Sequence, residues 1–184
     1  MDTVGEGLNA ALQKAFTRPI PKSAGAQMRY LVKQLKGTRP VAELLGITQR
    51  TVERYVKDQI RRPRPDLADR LEREVKRRWQ PQIRARAKQT AATTGGIVID
   101  TRARFGYTAA PGTTDDARLR HLTVALPPEY AARLFEAQEQ GATEQQLRRI
   151  AAEGLGEIYF RDRNRRAHGL DVEFTDVEDI GFDL

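Results

Sequence analysis

The sequence predicts an α+β protein in which a helical N-terminal region is followed by a β-hairpin and two C-terminal helices. Three observations carry that reading. Apolar residues recur at three- and four-residue spacing up to Trp79 and alternate with polar ones from Ile97, so the period changes from that of a helix to that of a strand. Breakers rich in glycine and proline separate the periodic stretches. The charge changes sign with the period: residues 1–90 hold 21 basic and 9 acidic side chains, residues 91–184 hold 11 and 16. Such a split separates a region suited to an anionic partner, most often nucleic acid, from one with another task.

Composition removes several function classes. The 184 residues, 39% of them hydrophobic, suffice for one large domain or two small ones. With no cysteine there is no disulfide framework, thiolate zinc site or cysteine nucleophile. The two histidines, His121 and His168, lie far apart without metalloprotease spacing, so no metal site and no cofactor of the chain's own is expected. No apolar run approaches 18 residues and no signal-like N-terminus is present, which predicts a cytoplasmic protein with no membrane partner.

In order along the chain, residues 1–23 hold a short amphipathic piece (Leu8, Ala11, Leu12, Ala15, Phe16) ended by Arg18-Pro19-Ile20-Pro21, read as an arm. Residues 24–36 are a helix on Met28, Leu31, Val32 and Leu35, with Gly37 at its stop. Helices over 39–45 and 49–58 follow, joined by Gly46-Ile47-Thr48, and Leu67, Leu71 and Val75 mark another over 66–79. Residues 24–80 form one helical domain on this reading, and the polar, threonine-rich stretch 81–94 a linker. Ile97, Ile99, Thr101, Ala103, Phe105 and Tyr107 then define a strand over 97–108, and a second extended run covers 118–126, a hairpin being the simplest connection. Helices are predicted over 129–140 and after the N-cap Thr143, completing a domain over 95–166. An acidic tail, 167–184, with six carboxylates between Asp171 and Leu184, is expected to be mobile or held by a partner.

The segment TRPVAELLGITQRTVERYVK, residues 38–57, has the layout of a helix-turn-helix. Small Ala42 lets two helices approach, Gly46 supplies the turn, and Leu45, Ile47, Val52 and Tyr55 pack between them. Thr48 caps the second helix, leaving Gln49, Arg50, Thr51, Arg54 and Lys57 outward. Gln and Arg are suited to base edges, Thr and Lys to phosphates. Arg61, Arg62 and Arg64 follow where a duplex backbone would run. The competing reading is a helical hairpin with a solvated face.

The second half lacks phosphate-loop, nucleophile-elbow and dinucleotide-binding signatures. Between the strands lies Pro111-Gly112-Thr113-Thr114-Asp115-Asp116, which as residues alone reads as a turn and a helix start, since an aliphatic hydroxyl needs a base or metal to become a nucleophile. Arg102 and Arg104 share the polar strand face, and Arg118 and Arg120 lie on the facing run; together they offer either a solvated sheet or a second basic surface.

Two blocks, VAELLGITQRTVERYVKDQIRRPRP and GGIVIDTRARFGYTAAPGTTDDARLRHLTVALPPEYAARLFEA, with the basic-then-acidic C-terminus, resemble the Tpg family of terminal proteins, which are covalently attached to the 5′ ends of linear Streptomyces replicons. The likeness covers essentially the whole chain. It implies a DNA-binding telomere protein that primes end-patching synthesis by accepting a deoxynucleotide on a threonine hydroxyl, Thr114 by correspondence, with Thr113 second. It also implies a nucleoid-associated protein that is a substrate and not an enzyme. Its partners would be telomeric DNA, a telomere-associated recruiting protein and a DNA polymerase whose active site supplies Mg2+. The alternative is a helix-turn-helix transcriptional regulator with a C-terminal dimerisation domain. In one form of it residues 118–160 pair between two chains as a ribbon-helix-helix, and 97–108 then does not pair with 118–126. A homodimer is compatible with either.

Overall fold

A computed structural model describes residues 3–108, 118–161 and 170–184. The chain is α+β, with helices and a three-stranded antiparallel sheet, and forms two compact units: Thr17–Pro81, and Met1–Phe16 together with Gln82–Leu184. Among the described residues no helix is long and apolar enough to cross a membrane.

The first unit holds α2 (Ala24–Leu35), α3 (Thr38–Leu45), α4 (Gln49–Val56) and α5 (Pro65–Arg78); α1 (Val4–Lys14) belongs to the other unit. Ser23 caps α2 by accepting from the Ala26 N–H at 3.3 Å. Lys36, not Gly37, takes the left-handed stop at φ 58, and Gly37 is extended and opens α3. Met28, Leu31, Val41, Leu45, Val52, Leu71 and Val75 are fully buried in one core, the apolar stripe of each helix facing inward. The unit closes its own ends. The Trp79 Nε1–H donates to the Arg18 carbonyl at 3.0 Å, the Thr17 N–H to Gln80 Oε1 at 3.0 Å, and the Tyr30 and Trp79 rings meet at 4.7 Å. Residues 17–23 are thus part of this unit and not of an arm.

The second unit is built on β1 (Ile97–Thr108), flanked by β2 (Arg118–Leu126) and β3 (Asp171–Asp183), all antiparallel, in the order β2-β1-β3. Alternation works as the sequence predicts. Ile97, Ile99, Thr101, Ala103 and Phe105 are buried, while Asp100, Arg102 and Arg104 are exposed. The buried face packs with α1 (Val4–Lys14), α7 (Pro128–Glu139) and α8 (Glu144–Leu155) in one core. Thr143 and Gln146 form a reciprocal capping box on α8.

Three expectations are corrected in this unit. The acidic tail is strand β3: Val177, Ile180 and Phe182 are buried, and a Cβ at Gly7 of α1 would come within 2.8 Å of the Phe182 ring. The amphipathic piece at the N-terminus is α1, whose free Val4 N–H donates to Glu144 Oε1 at 2.9 Å and whose Gly5 carbonyl accepts from Gln138 at 2.9 Å. The linker is α6 (Pro81–Thr90) followed by a π-helical turn, Ala91–Gly95. The helix packs through the stems of long cations: Arg84 reaches Asn9 Oδ1 at 3.1 Å, and Lys88 lies over Phe135 and pairs with Glu139 at 2.7 Å. β1 pairs with β2 within the chain, Ile97 opposite Leu126 through Phe105 opposite Arg118, whereas the ribbon-helix-helix form leaves 97–108 unpaired with 118–126.

Candidate nucleic-acid interface

Helix α4 is short, eight residues or about 12 Å at 1.5 Å per residue. Its buried side is Val52 and Tyr55, which fixes what the other side presents. Thr48 caps it, accepting from the Thr51 N–H at 3.2 Å, and the two hydroxyls meet at 2.8 Å. Gly46, at φ 62, makes the turn from α3, where a side chain would be strained. The C-terminal end is held from α2: Arg29 donates to the Val56 carbonyl at 2.9 Å and to Asp58 at 2.8 Å.

Arg50, Arg54 and Lys57 follow one another at four and three residues, so one stripe of α4 carries all three, and all are exposed. Arg61, Arg62 and Arg64 are exposed on the segment running to Pro65 at the start of α5. Burial raises the pKa of the Tyr55 hydroxyl, and the positive charges of Arg54 and Arg64 oppose the shift, so helix and segment bring cations to the same phenol. The unit holds 17 basic and 7 acidic residues, a net +10. Four of its acids are paired with other cations, Asp58 with Arg29, Glu43 with Arg39, Glu72 with Lys76 and Glu74 with Arg77 and Arg78, and Glu53 of α4 accepts from Gln49. Among the described residues, Arg50, Arg54, Lys57, Arg61, Arg62 and Arg64 make no side-chain hydrogen bond or salt bridge. Six unneutralised cations on two adjoining segments suit a polyanion.

Gln49 is placed differently from the sequence expectation. It is exposed, yet its amide donates to Thr38 at 3.0 Å and Glu53 at 3.1 Å, so it ties α3 to α4 in the free protein. Thr51 is half-buried and committed to Thr48. Arg50 is thereby the α4 side chain best free to reach base edges, and the threonines hold the helix start.

In the other unit, Thr113 and Thr114, with Asp115 and Asp116, lie outside the described residues. The strands that carry their loop are described, and these run antiparallel from a shared end where Phe105 faces Arg118. The outer sheet face is charge-compensated: Arg102 Nε meets Glu178 at 2.9 Å and His121 meets Asp100 at 2.8 Å. The acidic strand thus answers β1, a pairing that the sequence did not reveal because the partners lie 76 positions apart. Arg120 does not join Arg102 and Arg104. It shares the parity of Leu122, Val124 and Leu126 and stands on the helix-covered face opposite Ala103. That parity was readable from the run RLRHLTVAL once the buried side was known.

The chain matches no protein-family model, no curated protein and no solved structure.

Proposed function

We propose that this chain is a DNA-binding terminal protein: α3 and α4 act as a helix-turn-helix on duplex DNA, and Thr114 is the hydroxyl on which a DNA strand is started. The observation that carries the binding half is the stripe of six cations left unpaired on and after α4 while other cations of the same unit are paired. Arg50 would enter the major groove, and Arg54, Lys57, Arg61, Arg62 and Arg64 would follow the phosphates.

The priming half rests on the resemblance of the two sequence blocks and on the hairpin that carries the acceptor loop. The segment that holds Thr114 is anchored at both ends by paired strands, which suits a residue that must enter another protein's active site. There the Thr114 oxygen would attack the α-phosphorus of a deoxynucleoside triphosphate; a phosphoester to Thr114 forms, the α–β phosphoanhydride breaks and pyrophosphate leaves. The polymerase would provide the base that takes the hydroxyl proton and the Mg2+ that steadies the phosphates, so this chain is substrate and primer. A telomere-associated protein would recruit it to DNA ends. Incubation with polymerase and labelled deoxynucleotide is the test: label on the wild-type chain, lost in Thr114→Ala with DNA binding kept, supports the proposal. Label persisting on Thr114→Ala moves the acceptor elsewhere, and DNA binding without any label in the wild type favours a transcriptional regulator.

A further inference from the structure

We propose that Arg120, Arg161 and Tyr159 form a binding site for a nucleoside phosphate at the end of the sheet from which the acceptor loop springs. Arg120 is a guanidinium on the core-facing side of β2, opposite fully buried Ala103. A charge in such a place needs an anion or a stacking partner. It has the second: its guanidinium carbon lies 5.8 Å from the centre of the Phe160 ring. It lacks the first. Arg120 Nε is buried and has no hydrogen-bond partner among the described residues, and Arg161 Nε, in the residue after Phe160, is in the same condition. Two buried guanidinium donors with no acceptor among the described residues, one over the Phe160 ring and one on the residue that follows it, suit an oxyanion. Glu157, the acid of the π-helical turn Gly156–Phe160, is committed to Tyr130 Oη at 2.5 Å.

The aromatic surroundings identify the ligand's other half. Phe160 is fixed against Phe105 at 5.4 Å, and Phe105 against Phe174 at 5.1 Å, which makes a rigid floor. Tyr159 stands edge-on to Phe160 at 4.9 Å and 87°, and at 46% exposure it is one of the few large apolar side chains open to solvent. An exposed ring packed on Phe160 suits stacking of a base while the guanidinium forks take its phosphate, the combination used for unpaired nucleotides. Arg120 lies six residues after Thr114, and at about 3.3–3.6 Å per residue no more than roughly 20 Å of chain separates them. On the priming reading, a nucleotide joined to Thr114 would be tethered to this site by at most that length of chain.

The choice of a nucleotide rests on the priming proposal; binding itself does not need a polymerase. The test follows the arginine Nε–Hε signals of the full chain by NMR during addition of a deoxynucleoside monophosphate, inorganic phosphate, the free deoxynucleoside or acetate. Arg120→Lys and Arg161→Lys assign one signal each. Both signals should move with the nucleotide and, at higher concentration, with phosphate. Either lysine variant should weaken nucleotide binding about tenfold or more, because a point charge cannot replace the fork. Tyr159→Ala should weaken nucleotide binding severalfold and leave phosphate binding as it was. Signals that ignore the nucleotide, or answer acetate equally well, overturn the site. Deoxynucleotide linkage to Thr114 is measured separately: linkage without a signal response sinks the site alone, and a signal response without linkage sinks priming alone.

Discussion

Replacing Arg50 and Arg54 together by alanine removes two of the six unpaired cations without touching a buried group. Both side chains are exposed and make no side-chain hydrogen bond or salt bridge among the described residues, so folding stability should change by no more than ~0.5 kcal/mol. The effect belongs in the salt dependence. If the five cations assigned to the backbone all meet phosphate, the logarithm of the association constant falls with that of salt at a slope of about −4.5, and at about −3.6 once Arg54 is gone. Between 50 and 200 mM salt the wild type should lose about 500-fold in affinity and the double variant about 150-fold, on that slope rule. Fluorescence anisotropy of a labelled duplex, titrated at four or more salt concentrations, gives both slopes. Unchanged slopes in a variant with unaltered circular dichroism refute contact between the α4 stripe and DNA.

Three further outcomes test the fold that supports the sites. Phe182→Ala, at a ring packed against Gly7 of α1, should destabilise the sheet unit by about 3–5 kcal/mol, read by thermal or denaturant unfolding; a mobile tail would give no change. Glu144→Gln weakens the carboxylate contact with the first N–H groups of α1 and the pair with Arg148 at 2.9 Å. It should cost about 1–2 kcal/mol and speed amide exchange in α1, while exchange in Thr17–Pro81 stays as it was. Burial, then the hydrogen bond with Glu157, pushes the Tyr130 hydroxyl from the usual 10.0 up to about 12. Because the folded value is the higher one, its stabilisation is fully present below pH 10 and fades as pH rises through about 12. Burial also raises the Tyr30 and Tyr55 hydroxyls, so the absorbance titration of Tyr130→Phe should lose one tyrosine from the late-ionising group; a late group of unchanged amplitude in that variant would contradict the assignment.

What could be read from sequence follows from how far apart the deciding contacts lie. Residues 38–57 signal their geometry locally, with a glycine turn, a threonine cap and apolar spacing of one helix pair, and the structure places α3 and α4 within a residue or two of the predicted spans. Strand β1 was legible because alternation holds over its length. Strand β3 was not. Its register against β1 shifts twice, between Arg102 and Ala103 and between Arg104 and Phe105, so the apolar series Val172, Phe174, Val177, Ile180, Phe182 has neither period. Its acids suggested solvent, although Glu178 faces Arg102 across the sheet. Helix α6 was not legible because its packing face includes the stems of Arg84 and Lys88; α1 was legible as an amphipathic piece, but its docking was not, because its partners, Glu144 and Phe182, are remote in sequence. At the interface the residue types were legible, whereas the engagement of Gln49 with Thr38 and Glu53 depends on how two helices cross. Arg120 was assigned to the wrong sheet face, since that choice needed the buried side of β2.

The most direct measurement of the central claim is the mass of one peptide. Protein isolated from the cells that make it, treated with nuclease and cleaved after Arg104 and Arg118, releases residues 105–118 with Thr108, Thr113 and Thr114. A protein primer yields this peptide with a residual nucleotide monophosphate, and fragmentation places it on Thr114. A peptide recovered only in its unmodified form contradicts priming and leaves a DNA-binding regulator.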